Sequence, residues 1–447
     1  MKRFSIKTAL FLGVLALMMA SGCSSSSSSS SSTGITKFTF KASDNAPDIN
    51  QITYMVDTVA GFITNFDSIA YTSNITKVVP LITLPYAASE IRINDAAWNQ
   101  TDSIDVTSPF KLTIVAANKK NIKDYTVKIN KHSVNPDSIV WKKINHNLPS
   151  EFSKGKVLYM GSCLIFVGEH TSGKQRIYTS IDCVSWSMVS ESEPTIEINS
   201  LYATSGFSQK GRIYALSTSG SGIYTYNSTT GTFDECGAIE TFTGKEILGE
   251  YKDEILILAE SEGGSAILSY KDGEVTEKVS SYPSSFPLAG GFATLLVKYD
   301  SETTANVEST FIIGGETVAG TFTSGVHATD NGWYWSNVLK IPPEEYFQKM
   351  SYAAAVQYLK TIYTFGGVTN STLTQYANNL VSTDNGFTWK EPANYQKVPD
   401  EFTPKYGISA IASDDDNLYL LGGYTDAKIY TLDFYRGRAR MADFIKQ

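Results

Sequence analysis

Short apolar runs that end in paired glycines recur along the C-terminal two-thirds of the chain. The full versions are Phe311-Ile-Ile-Gly-Gly315, Tyr363-Thr-Phe-Gly-Gly367 and Leu418-Tyr-Leu-Leu-Gly-Gly423; weaker ones stand upstream at Leu164 to Gly168, Arg212 to Leu216 and Glu254 to Ala259. The first glycines of the full versions are 52 and 56 residues apart. A period of about 50 residues, made of short strands and glycine-rich turns, predicts a β-propeller in which each period is one four-stranded blade, so six blades in all. Upstream, residues 35–132 alternate apolar and polar positions with period two, in runs at Ile35–Phe40, Gln51–Val56, Ser68–Tyr71, Glu90–Ile93, Phe110–Val115 and Asp124–Ile129. Such alternation predicts a small β-sandwich with one wet face per sheet. The fold class expected is therefore all-β, an N-terminal β-sandwich followed by a six-bladed β-propeller. Lys131 to Asp137, with Pro136, reads as the linker, and the propeller spans 138–440.

An aromatic opens the last strand of most units: Trp186, Phe233, Trp335 and Trp389. Trp141, in Ser138-Ile-Val-Trp-Lys-Lys143, stands alone before the first unit, while Lys428–Asp433 reads as a third strand with no aromatic strand after it. The two halves complete each other, so the strand around Trp141 is expected to supply the outer strand of the unit holding Gly422 and Gly423, hiding both edges of the ring.

The first residues change the picture of where the protein works. Lys2 and Arg3, the apolar run Ala9 to Ala20 and the small residues before Cys23 form a secretory signal, residues 1–22, whose apolar part is too short to span a bilayer. Ala-Ser-Gly-Cys23 resembles a bacterial lipobox, with Ala20 where leucine is usual; the resemblance implies a lipidated Cys23 that anchors the body to the membrane. Ser24 to Ser32 is a flexible tether, with 23–34 as the anchor region. By analogy with other bacterial lipoproteins, the resemblance, with serines and no acidic residue after the cysteine, implies retention in the outer membrane, on its periplasmic or outer side.

Removing Lys2, Arg3 and Lys7 takes the formal charge from −8 to −11, against nucleic acid as a partner. Cys163, Cys183 and Cys236 are an odd number; they read as buried free thiols, with a Cys163–Cys183 bridge as the alternative. No Cys/His metal spacing occurs, and no metal or cofactor is expected.

Ser382-Thr-Asp384-Asn-Gly386-Phe-Thr388-Trp389 matches the Asp-box of sialidase-like propellers, Asp330–Trp335 and Ser180–Trp186 being partial copies. Its residues, Ser382, Asp384, Gly386, Thr388 and Trp389, are structural: the carboxylate accepts turn amides and the indole packs between blades. Lys111–Ile129 resembles the final hairpin of cadherin-like or immunoglobulin-like modules. The whole is similar to envelope lipoproteins of Bacteroidota that fuse such a module to a kelch-like or sialidase-like propeller.

That resemblance raises sialidase activity, which needs three converging arginines. The propeller has Arg176, Arg212, Arg436, Arg438 and Arg440, the last three in what reads as a C-terminal tail. Histidines at 132, 146, 170 and 327 are too few for a copper oxidase. The reading that remains is a non-catalytic envelope protein, a monomer or part of a complex, that binds a glycan or a protein. The alternative is a glycan hydrolase using paired carboxylates at the ring axis.

In a propeller, residues after the second strand of each blade ring the mouth of the axis, the usual binding face. Aligned on Gly315 they are Glu169, Thr218, Glu260, Glu316, Val368 and Tyr424, with His170, Glu262 and Asp426 just beyond. The acidic members with Tyr424 as a stacking platform form the expected ligand site, suited to a sugar or a cationic partner; solvated loop carboxylates are the plain alternative.

Overall fold

A computed structural model describes residues 30–135, 137–278, 281–299, 307–339, 348–369, 375 and 379–440. Residues 1–22, Cys23 and most of the serine tether lie outside them. The chain divides into two compact units, Met1–Asn135 and Pro136–Gln447. Among the described residues no helix is long and apolar enough to cross a membrane.

The first unit holds a six-stranded sheet in the order Tyr54–Asp57, Phe62–Asn65, Ile122–Lys128, Phe110–Ala116, Ala88–Ile93 and Ala96–Ala97, and a two-stranded sheet of Lys37–Phe40 with Pro80–Thr83. Phe38, Phe40, Ile63, Leu112, Tyr125 and Val127 meet in one core. Several of its features depart from the sequence reading, which held no strand at Pro80–Thr83 or Ala96–Ala97. Phe62–Asn65 is a strand, and it pairs parallel to Ile122–Lys128. Ser68–Tyr71 is not one, Ile69 making only an isolated bridge to Lys131. The reason is a side chain: Asp48 accepts the Ala70 N–H at 2.6 Å and the Ser73 hydroxyl at 2.7 Å, taking a donor the ladder would need.

Among the described residues the second unit holds six antiparallel sheets. Their first strands are Phe152–Tyr159, Tyr202–Ser205, Thr243–Tyr251, Ala293–Tyr299, Ala354–Tyr358 and Ser409–Ala412. Each touches the first strands of the sheets before and after it, and the sixth touches the first. Alternation explains the packing. In the second strand of sheet 1, Leu164 and Phe166 join a core shared with sheet 6, while Ile165 and Val167 join the core shared with sheet 2. A strand buried on both faces reads as an unbroken apolar run, and each such side chain is worth about 1.5–3 kcal/mol.

Sheet 6 runs Ser409–Ala412, Asn417–Leu421, Phe434–Ala439 and finally Ile139–Ile144, with Gly437 opposite Trp141. Its third strand is thus Phe434–Ala439 and not Lys428–Asp433, so Arg436 and Arg438 are ladder residues and not a tail. Tyr424 bridges Tyr430 within the segment read as a strand, and Asp433 is drawn into ion pairs with Lys405 at 2.6 Å and Lys143 at 3.0 Å. These contacts hold 428–433 off the ladder.

The paired glycines have a specific use. Gly366 and Gly367 have φ of +63° and +93°, and a Cβ on Gly366 would sit 2.1 Å from the Lys405 carbonyl oxygen, which accepts the Gly367 N–H at 2.9 Å. Gly315 N–H meets the Met350 carbonyl in the same way at 2.8 Å. These two glycine pairs therefore stitch sheets 4 and 5 to the backbone that leads into the next first strand, in a conformation that favours glycine. The residues fixed by that stitch are the ones at the mouth of the ring.

The turns before the last strands follow one plan. Asp384 Oδ1 accepts the Ser382 hydroxyl and the Thr388 N–H, both at 2.9 Å, and the Trp389 indole donates to the Gly386 carbonyl at 3.0 Å. In sheet 1, Asp182 accepts Val184 and Ser185 N–H at 2.8 and 2.7 Å, which holds its carboxyl down at about 2. In sheet 4 the acceptor is Asn331, which takes Trp333 and Tyr334 N–H at 2.9 Å each, with Thr329 in the hydroxyl position. The partial copy that the sequence places at Asp330–Trp335 thus starts one residue off, since Asn331 and not Asp330 is the acceptor: an amide oxygen does the carboxylate's work.

Candidate functional site

The six first strands enclose a cavity of about 370 Å³. Around one end of it runs a hydrogen-bonded belt. Glu246, on the first strand of sheet 3, accepts the Gly291 N–H at 2.9 Å. The Gly291 carbonyl accepts the Tyr352 N–H and the Ser351 hydroxyl, and the Tyr352 carbonyl accepts the Gly407 N–H at 2.8 Å. Tyr406, beside Gly407, exchanges backbone hydrogen bonds with Tyr424. On the far side, Lys154 lies between Glu169 at 3.2 Å and Glu197 at 3.6 Å, and Lys156 donates to the Asn199 carbonyl at 3.2 Å.

Three tyrosines stand along this belt. Tyr406 stacks on Tyr424 at 5.1 Å and 20°, and Tyr352 lies 6.2 Å from Tyr406. Tyr352 is 43% exposed, with a φ of +55° that the Gly291 contact holds in place. Partial burial raises all three phenols; that of Tyr424 goes to about 12, with Tyr406, Glu169 and Glu197 adding to the effect. They stay neutral and act as faces and hydroxyl donors.

Two charged side chains line the cavity just inside. Desolvation raises the Glu246 carboxyl to about 7, against the pull of the Gly291 N–H and Lys156, and desolvation lowers the Lys156 ammonium against the pull of Glu246. Toward the ends of the first strands, Lys210 pairs with Asp414 at 2.5 Å, and Lys298 donates to the Ser205 carbonyl beside the Phe207 ring.

Residues 135–447 match the family described as the DUF6242 beta propeller domain, and residues 26–129 match its N-terminal domain, a domain of unknown function. The chain belongs to the DUF6242 family. Among solved structures it is similar to one titled "Structure of YjhT", at 10% identity and a TM-score of 0.45, over 65% of this chain and 95% of that one. No curated protein matches it.

The residues marked in the sequence are spread over this DUF6242 propeller unevenly. Tyr424 is on the belt, and its phenol feels Glu169. Glu316 acts on Tyr352 and bridges Gly290 and Phe322 through its backbone. Glu169 is matched to Lys154 and Glu260 to Lys245 at 2.5 Å, so two of the three glutamates are neutralised by lysines of the first strands. His170 sits 2.8 Å from the Ser172 hydroxyl and 3.3 Å from Glu151. Val368 is buried, Glu262 and Asp426 occupy exposed turns, and Asp426 accepts the Ala427 N–H at 2.8 Å. Cys163, Cys183 and Cys236 are free thiols. Among the described residues no group of three or more His, Cys, Asp or Glu could hold a metal ion.

Sequence reasoning missed Tyr352, Tyr406, Glu246 and Lys156. A signal existed for each. Tyr352 and Tyr406 follow the two carbonyls that the glycine pairs bind, and Glu246 and Lys156 are charges set within runs that otherwise build a ring wall.

Proposed function

We propose that this DUF6242 protein is a non-catalytic binding module of the cell envelope, a six-bladed propeller tethered through Cys23, whose mouth takes a glycan or a protein partner. The observation that carries the reading is the arc of Tyr352, Tyr406 and Tyr424 beside Glu316 and the Glu169–Lys154–Glu197 group. Neutral aromatic faces flanked by carboxylates suit the apolar faces and hydroxyls of a sugar. The hydrolase alternative needs two carboxylates facing each other across the scissile bond. The carboxylates lining the cavity are Glu246 and Asp414; Asp414 is ion-paired with Lys210, and Glu246 is held on the Gly291 N–H.

A glycan array and hydrolysis screen on the purified protein tests this. Tyr406→Ala and Tyr424→Ala are expected to weaken a bound glycan at least tenfold, about 1.4 kcal/mol, and the triple change of Glu169, Glu260 and Glu316 to Gln to do the same; unchanged binding would move the site away from the mouth. Cys23→Ala should release the protein from the membrane fraction, and continued retention would refute the anchor.

A further inference from the structure

Two opposite charges lining one cavity gain from direct contact. Lys156 and Glu246 do not make it. Each is anchored to main chain of a neighbouring element, Lys156 Nζ on the Asn199 carbonyl at 3.2 Å and Glu246 Oε2 on the Gly291 N–H at 2.9 Å. They project from the first strands of sheets 1 and 3, with the first strand of sheet 2 between them. They act on each other electrostatically, yet no ion pair joins them among the described residues. Both line the cavity of about 370 Å³, whose lining also includes the aliphatic residues Val157, Ala293, Leu295, Ala353 and Ala355. The ammonium keeps two donors and the carboxylate one oxygen for something else.

We propose that this end of the cavity binds a small zwitterion, a molecule with one carboxylate and one ammonium group joined by a short apolar chain, its carboxylate on Lys156 and its ammonium on Glu246. Bridging the pair gives each charge an opposite partner that it lacks across the cavity. The wall of small aliphatic residues takes the methylenes. This ligand lies inside the ring, not on the tyrosines, so it goes beyond the reading of the mouth and fails separately from it.

The titratable and charged groups facing Glu246 are Lys156 from sheet 1 and Tyr352 from the segment before sheet 5; its neighbour Lys245 is engaged with Glu260. Since Glu246 must be ionised to hold an ammonium, and its carboxyl titrates at about 7, affinity should rise from pH 6 to pH 8.

The test is calorimetric titration of the full chain with glycine, β-alanine, 4-aminobutyrate, 5-aminopentanoate and 6-aminohexanoate. Carboxylates and amines of matching length serve as singly charged controls. One member of the series is expected to bind at least tenfold tighter than its singly charged analogues. Glu246→Gln and Lys156→Met should each remove at least tenfold, and Lys156→Arg should keep most of the affinity. Thermal melts confirm that each variant is folded. Zwitterions binding no better than their analogues, or a folded Glu246→Gln with unchanged affinity, overturns the proposal. Loss of glycan binding in the tyrosine variants with zwitterion affinity intact would show the two sites to be separate.

Discussion

Glu246 and Glu250 sit four residues apart on one strand, Thr243–Tyr251, and live in opposite circumstances. The ladder shifts register between Ile247 and Gly249, so the strand is re-aimed between them. Glu250 is 1% exposed, and its Oε1 accepts four donors: Ser205 N–H at 2.6 Å, Tyr202 hydroxyl and Gly206 N–H at 3.1 Å, and Ser205 hydroxyl at 3.3 Å. Glu246 faces the cavity with one main-chain donor. Burial pushes both carboxyls upward, and for Glu250 the nearby Glu308 adds to it. What separates them is where the donors come from. The Oε1 of Glu250 is consumed by the packing of sheets 2 and 3 and its Oε2 is buried with no hydrogen-bond partner among the described residues, whereas Glu246 leaves bonding capacity turned toward open space, which is what a ligand requires.

The largest expected effect lies on the consumed side. Glu250→Ala leaves the buried Tyr202 hydroxyl and Gly206 N–H and the half-buried Ser205 N–H without their acceptor, at about 1–3 kcal/mol for each buried group, so urea unfolding should show a loss of about 3 kcal/mol. Glu250→Gln keeps an acceptor and should lose less. Wild-type stability in Glu250→Ala would erase the distinction between the two glutamates.

The next effect reads the open side by pH. The folded carboxyl of Glu246 titrates at about 7 against an ordinary value of 4.5, so the folded state holds its proton more tightly than the unfolded chain. Its contribution to stability is fully present below pH 4.5 and is lost as pH rises to about 7. The decline should be on the order of 1–3 kcal/mol, and the difference between wild type and Glu246→Gln isolates it from other groups. Parallel stability curves for the two proteins would mean that Glu246 is solvated like a surface carboxylate, and the comparison would lose its physical basis.

The repeat architecture was legible because it obeys local rules. Glycine pairs mark the second strands, and unbroken apolar runs mark strands buried on both faces. The strand around Trp141 is readable as a lone aromatic strand lacking its own unit. Legibility stopped where a side chain overrode the pattern. Asp48 took the Ala70 N–H and abolished a strand that alternation favours, and the ion pairs of Asp433 kept Lys428–Asp433 out of the ladder that Phe434–Ala439 joins. The residues of the candidate site could be located in the sequence only in part. Tyr424 follows directly from the glycine marker, but its partners Tyr406 and Tyr352 come from segments 18 and 72 residues earlier, brought in by the stitch of one sheet to the next. The mouth glutamates were located by counting along the chain, and counting cannot reveal that Lys154 and Lys245, two strands' width of sequence away, answer two of them.

The smallest expected effect tests whether a satisfied carboxylate matters for its charge or only for its oxygen. Asp182 binds two turn amides, and Asn331 binds the equivalent two in sheet 4 with an amide oxygen. If geometry is the whole of the requirement, Asp182→Asn should change stability at neutral pH by no more than about 0.5 kcal/mol, as at an ordinary surface position. Asp182→Ala, which strands the Val184 and Ser185 N–H groups in a turn that needs them, should cost about 1 kcal/mol. The depressed carboxyl adds a pH signature to the wild type alone: the Asp182 contribution is present above about 3.8 and fades as pH falls to about 2, and solvent exposure of the turn keeps it small. An Asp182→Asn variant as damaged as Asp182→Ala would show that charge is needed even where every donor is met, so the Glu250 network would have to be read as electrostatic as well.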